Sequence, residues 1–211
     1  ASTKQKKQDG NYFDSFIGLD FFYDKRNQKY QTTRGFFSNF NVSMPILSDT
    51  NTLTNTYNYK VFKELYENNV STLSILFKGA SSLSNDDIKL SERLYIPGKR
   101  LRGFETGKIG PKDGSDFIGG NYVSSINATT TIPTLLENVQ SVDVVLFADA
   151  ANIWGVDYDS SLDKDGIRSS VGIGIDWLTP VGPLTFSFAH PVTKESTDIE
   201  QTFRFNIGTS F

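Results

Sequence analysis

Apolar and polar residues alternate along this chain with a period of two. The alternation recurs in segments of about ten residues, the length a tilted strand needs to cross a bilayer. The C-terminus is the clearest case: Phe203, Phe205, Ile207, Thr209 and Phe211 fall on one face, Arg204, Asn206, Gly208 and Ser210 on the other. A helix would scatter these phenylalanines around its axis. Upstream, Leu184, Phe186 and Phe188 oppose Thr185, Ser187 and Ala189, and Val171, Ile173, Ile175 and Trp177 oppose Ser170, Gly172, Gly174 and Asp176. Thr179-Pro180-Val181-Gly182-Pro183 joins these two segments as a tight turn that proline and glycine pre-organise.

The same reading places strands over Ser141–Ala150 and Gly120–Ile132, the latter with Asn121, Ser125, Asn127, Thr129 and Thr131 on a strongly polar face. Four more follow toward the N-terminus: Tyr12–Tyr23, Gly35–Ile46, Thr56–Tyr66 and Val70–Gly79, with Phe36, Phe40, Val42, Met44 and Ile46 sharing one face of the second. The total is nine, an odd number, where single-chain bacterial barrels use even numbers. A soluble β-sandwich also has alternating strands and Gly/Pro turns. The polar face of nearly every strand and the aromatics near strand ends favour a membrane barrel instead.

Composition narrows this further. At 211 residues, one all-β domain is sufficient. Aromatics reach 13%, yet mean hydropathy is −0.32, so apolar and polar positions are evenly mixed and a helical membrane bundle is excluded. Strands with one polar face barely raise mean hydropathy. Cysteine is absent and His190 is the single histidine, which leaves no disulfide framework, no thiolate chemistry and little basis for a metal site. A net charge of −3 does not argue for nucleic acid. The chain opens on the polar segment ASTKQKKQDG without an initiating Met, which suggests a fragment of a secreted membrane protein.

Five motifs, in order, carry a family resemblance. Tyr23–Phe37 is similar to an Asp-x-Arg-(Asp/Asn) hairpin followed by Pro-x-x-Gly, matched by Asp24, Arg26, Asn27 and Gly35, with Thr32 where proline is usual. Glu92–Phe104 ends in Leu-Arg-Gly-Phe. Leu146–Trp154 is similar to a Phe-x-Asp-x-Gly-x-x-Trp strand, with Ala151 in place of its glycine. Gly172–Val192 reads as a penultimate hairpin. Phe203–Phe211 reads as a terminal strand closing on an aromatic sorting signal. Together these resemble the C-terminal part of the outer-membrane insertase and translocon superfamily (bacterial surface antigen family), within it the BamA-like assembly factors.

The resemblance implies an all-β fold: an antiparallel transmembrane β-barrel of sixteen strands, of which residues 1–211 would form the last nine. N-terminal POTRA repeats and the first strands would be missing. The loop at about 82–118 would fold into the lumen, with Arg102 docked on a carboxylate of a neighbouring strand, Gly103 giving a tight backbone and Phe104 an apolar anchor. The matching carboxylate is Asp149, on the same face as Asp143, Val145 and Phe147; Asp176 is a second possible partner. Phe203, Phe205, Gly208 and Phe211 would form the lateral seam and terminal signal. Gly208 weakens or bends the strand, or is a simple packing glycine.

The implied function is non-enzymatic folding and insertion of β-barrel clients into the bacterial outer membrane, at a seam that accepts strands by β-augmentation. The partners would be unfolded clients, outer-membrane lipids and, through the missing repeats, assembly-machinery lipoproteins; no cofactor or metal is implied. A two-partner-type secretion pore or an autotransporter assembly barrel of the same superfamily is an alternative, as is a diffusion porin, for which a docked loop would have no purpose. Other candidate motifs carry no chemistry. GIGIDW lacks the third glycine of a dinucleotide fingerprint. His190 has no serine or carboxylate arrangement for a triad, and GPKDGSD lacks the spacing of a calcium loop.

Overall fold

In a computed structural model, residues 8, 10–29, 31–84, 86–132, 141–163, 166–180 and 182–208 are described. Nine strands form one sheet: β1 (Asp14–Asp24), β2 (Gly35–Ser48), β3 (Thr52–Tyr66), β4 (Asn69–Ser82), β5 (Tyr122–Thr131), β6 (Val142–Trp154), β7 (Arg168–Thr179), β8 (Gly182–Thr193) and β9 (Phe203–Ile207). Every strand pairs antiparallel with its sequence neighbour, so the spatial order is the chain order. No described helix is long and apolar enough to cross a membrane.

The nine segments read from alternation correspond to these nine strands, with shifted ends. Strand β3 starts earlier, at Thr52, and β6 runs on to Trp154. Among the described residues the terminal strand runs from Phe203 to Ile207. Its approach, Glu200–Gln201, pairs with Gly103–Phe104 rather than with β8. Thr209, Ser210 and Phe211 lie outside the described residues.

Register sorts the side chains into two faces. Phe21, Phe40, Tyr57 and Phe77 are aligned across β1 to β4, and Leu146, Ile173, Phe188 and Phe203 across β6 to β9. All eight are exposed. A continuous apolar face of this kind far exceeds the patches that water-soluble monomers expose and suits hydrocarbon. Strands of about ten or more residues at about 3.3 Å each are long enough to cross it when tilted.

The opposite face is polar in the middle of the sheet. Ser74, Asn127, Asp149 and Ser170 form one cross-strand row, and Val145, Gly174, Ser187 and Arg204 another. The described residues between β4 and β5, 83–84 and 86–121, fold back onto this inner face. Ile96, Leu101, Phe104 and Ile109 of that segment pack with Val123, Ala151 and Ile153 of β5 and β6 into the buried core of the molecule. The core is therefore built between the loop and one wall of the sheet.

Candidate functional site

The loop segment 98–104 meets the inner wall at Asp149. Inward-facing on β6, Asp149 has a side chain with 0% exposure. Its Oδ2 accepts from Arg102 Nε at 2.7 Å and from the Arg102 backbone N–H at 3.1 Å. Its Oδ1 accepts from Arg102 Nη2 at 2.7 Å and from Asn127 Nδ2 at 2.8 Å. The carboxylate thus takes four donors, two on each oxygen, and the guanidinium engages it as a fork. The Arg102 Cζ also stands 3.3 Å from the centre of the Phe147 ring, one inward position along β6, a cation–π contact.

Neighbouring residues hold the tip at its flanks. Arg100 donates to Asn58 Oδ1 at 2.6 Å, to Asn127 Oδ1 at 3.2 Å and to the Ser74 hydroxyl, so β3, β4 and β5 are all tied to one guanidinium. The amide of Asn127 donates back to the Arg100 carbonyl at 2.8 Å. Gly103 has φ +91°, and a Cβ there would lie 3.3 Å from the Cβ atoms of both Ser170 and Ala189. Only glycine combines that backbone with so close an approach to the wall. Phe104 is 1% exposed, seated in the core cluster.

Asp176 is not part of this arrangement. It lies six residues along β7 from Ser170, the register partner of Asp149, or about 20 Å at the rise of a strand. Its register partner is Asp143, and among the described residues no hydrogen bond or ion pair joins it to Arg102. Extended geometry alone removes it from reach.

The hairpin after β1 is a separate element. Arg26 forks onto Asp24, with Nη2 to Oδ2 at 2.7 Å and Nε to Oδ1 at 3.0 Å, while its guanidinium lies 4.8 Å from the Phe37 ring. Asn27 Oδ1 accepts the backbone N–H groups of Thr33 and Arg34, each at 3.2 Å. Gly35 has φ +100°, and a Cβ there would collide with the Lys25 carbonyl. In place of proline, Thr32 closes the turn through its hydroxyl, which donates to the Gln28 carbonyl at 2.8 Å.

At the C-terminal end, Phe186 and Phe205 pack with ring centres 4.8 Å apart, and Phe188 and Phe203 at 4.9 Å, all on the outer face. Gly208 has φ +115° and its N–H donates to the Pro183 carbonyl at 3.0 Å. A Cβ at Gly208 would meet nothing within 4 Å, so conformation rather than packing calls for glycine there.

Three contacts of the loop were not read from the sequence. Arg168 and Asp198, both fully buried side chains, pair through Nε to Oδ2 at 2.9 Å, and Asp198 Oδ1 also accepts the Gly110 N–H at 3.3 Å. The backbone of Ile199 bridges Glu105 and Lys108, accepting at 2.8 Å and donating at 3.0 Å. Arg204 of β9 donates to the main-chain carbonyls of Gly98 and Phe104. Parity along β9 signals that Arg204 points inward; nothing in the sequence signals its acceptors. At the far end of the loop, Arg93 pairs with Asp157, and burial, reinforced by the Asp113 carboxylate at 3.2 Å, pushes the Tyr158 hydroxyl up to about 12.

This arrangement fixes a loop and carries no reacting constellation; no cluster of three or more metal-ligating side chains occurs among the described residues. A family model described as the Omp85 superfamily domain matches residues 1–211. The chain is similar to the outer membrane protein assembly factor BamA of Neisseria meningitidis serogroup B, 30% identical over 154 residues, covering 59% of this chain and 19% of that protein. It is 29% identical over 220 residues to BamA of Nitratidesulfovibrio vulgaris, covering 98% of this chain and 27% of that one. A SAM50-like protein of Schizosaccharomyces pombe is 28% identical over 150 residues, covering 66% and 31%. The crystal structure of BamA from Haemophilus ducreyi lacking POTRA domains 1–3 matches in fold with a TM-score of 0.83 at 24% identity, covering 90% of this chain and 41% of that one. The chain spans less than a third of the length of these curated relatives.

Proposed function

The chain belongs to the Omp85 superfamily, and on that premise we propose that it is the C-terminal part of the barrel domain of an outer-membrane protein assembly factor. The nine strands are the last nine of a sixteen-stranded barrel that preceding strands complete, below POTRA repeats, in the outer membrane of a Gram-negative bacterium. The protein acts without covalent chemistry. It accepts strands of unfolded outer-membrane clients at a lateral seam beside β9, thins the adjoining lipid, and releases closed barrels. Assembly-machinery lipoproteins bind through the repeats.

The observation that carries this reading is the fork of Arg102 on buried Asp149. It fixes a long loop against one wall of the sheet. A passive pore gains nothing from such a brace, whereas a barrel that must open beside β9 needs the nearby wall, three strands away at β6, held in place. An unpaired strand edge is in turn a template for an incoming strand. Gly208, with φ +115° just after Ile207, bends the backbone at the end of the described part of β9.

The test uses the full-length protein in lipid vesicles. Folding of an unfolded outer-membrane client into those vesicles is expected to accelerate, and Arg102→Ala is expected to reduce that acceleration while exposing residues 99–110 to protease. Residues 1–211 contain no cysteine, so a single cysteine introduced at Ile207 can be trapped with a cysteine in a client's terminal strand once any cysteine elsewhere in the full-length protein is replaced. Unaccelerated client folding together with a large, constant ion conductance would replace the assembly reading with that of a pore.

A further inference from the structure

Among the described residues, strand β9 has the shortest backbone register of the sheet. Its register with β8 covers only Phe203 to Ile207, whereas β8 is aligned with β7 from Ser169 to Thr179. Its outward side chains, Phe203 and Phe205, pack on Phe188 and Phe186. In hydrocarbon such contacts are weak restraints, because a lipid tail replaces an aromatic neighbour at little cost.

The inward side differs. Arg204 is 7% exposed, and its guanidinium donates to the Gly98 carbonyl through Nη1, to the Phe104 carbonyl through Nη2 and to Gln201 Oε1 at 3.0 Å. Among the described residues no carboxylate forms an ion pair with it. Two of its three acceptors are thus main-chain oxygens of the loop whose tip, between them, is forked to Asp149. Buried hydrogen bonds to a charged donor cannot be exchanged for lipid, and an arginine stripped of them carries an unsatisfied charge. Moving β9 away from the loop must therefore extract Arg204 first. The fit is close on the loop side as well, since a Cβ at Gly98 would collide with Arg204 Nη1 and Thr106 Oγ1.

We propose that Arg204 is a latch between the lumen loop and the terminal strand: while Arg102 holds the loop on Asp149, Arg204 holds β9 on the loop, so docking of the loop sets how readily the seam strand moves. This rests on the reading of β9 as the seam, and it adds a positioning residue. Arg204 touches no client in this role; it acts through the loop backbone.

Hydrogen–deuterium exchange of the full-length protein in lipid vesicles, read on peptides covering 96–108 and 200–208, tests the latch without any client. Arg204→Met is expected to speed exchange of both peptides by about tenfold, and Arg204→Lys, which keeps a charge but only one donor head, by less. Gly98→Ala, a loop substitution whose Cβ displaces the Arg204 guanidinium, is expected to speed exchange in 203–207. Arg102→Ala is expected to do the same from a greater distance. If Gly98→Ala and Arg102→Ala both leave 203–207 at the wild-type rate, there is no latch, and this outcome stands even if Arg204→Met fails to fold. Client folding measured on the same preparations separates the two readings. Client assembly without coupling retires the latch alone, and coupling without assembly retires the assembly reading alone.

Discussion

Asp149 and Arg102 are unequal partners, which decides how each substitution behaves. The carboxylate has no exposure, while the arginine side chain keeps 15%. Removing the arginine leaves a buried charge with only Asn127 Nδ2 and the backbone N–H of residue 102 as donors. Breaking such a pair costs about 3 kcal/mol or more. Arg102→Ala is therefore expected to shift the loop strongly toward its released state, read as protease cleavage within 99–110. Asp149→Asn in the same background should return part of the docking, because the amide carries no charge to strand. A double variant as open as Arg102→Ala alone would mean that charge burial is not what governs the loop. Conformation decides the glycines instead. Gly35 and Gly103 combine a positive φ with a wall of atoms where a Cβ would stand, whereas Gly208 has the φ alone. Substituting alanine at Gly208 should accordingly cost only the backbone strain, about 1–2 kcal/mol, and leave the packing of β8 and β9 unchanged in their ring contacts.

At the scale of strands, alternation carried most of the architecture, because burial against one face and lipid against the other impose a period of two on every segment. Nine strands and the inward direction of Asp149 follow from it, and so does the inward direction of Arg204. What alternation cannot encode is which loop atom an inward side chain meets. Arg204 finds main-chain carbonyls a hundred residues away in sequence, and the Arg168–Asp198 pair joins a strand end to a loop. Strand ends were misjudged for a related reason. On the approach to β9, Glu200–Gln201 pair with Gly103–Phe104 rather than with β8. The inner-face glycines of β7 acquire a purpose only in the structure. A Cβ at Gly172 would stand 2.2 Å from the Phe188 carbonyl oxygen and 2.5 Å from Phe147 Cζ, and one at Gly174 would lie 2.9 Å from Val145 Cγ2. Gly172 thus clears room for the ring that carries the Arg102 guanidinium. Gly172→Ala is expected to displace Phe147 and to press on the facing β8 backbone, raising cleavage of the loop several-fold, with Gly174→Ala, which meets only the Val145 side chain below 3 Å, producing less. Equal effects at the two positions would show that the ring's placement does not matter.

For the molecule as a whole, the consequential feature is that the sheet has two ends. Among the described residues, strands β1 and β9 each pair on one side only. They differ in how well they are covered. Strand β9 is backed by the loop through Arg204, while β1 is exposed on nearly every residue, including Phe22 at 56% on the inner face. A long, apolar, unpaired edge is the feature that proteins elsewhere shorten, charge or cover, because it recruits further strands. Closure of a barrel removes both edges at once, and in hydrocarbon an open edge would leave its N–H and C=O groups without any partner. Residues 1–211 produced alone are therefore expected to associate through β1 when refolded into detergent, with a mass by light scattering above that of one chain. A chain extended by the strands that complete the barrel should run as a monomer. Exchange of the β1 amides should be fast in the first case only if association leaves the edge open, so slow exchange in the associated form identifies β1 as the contact. A stable, monodisperse monomer of 1–211 with protected β1 amides would show that the nine strands close on themselves, and the sixteen-stranded architecture would have to be abandoned.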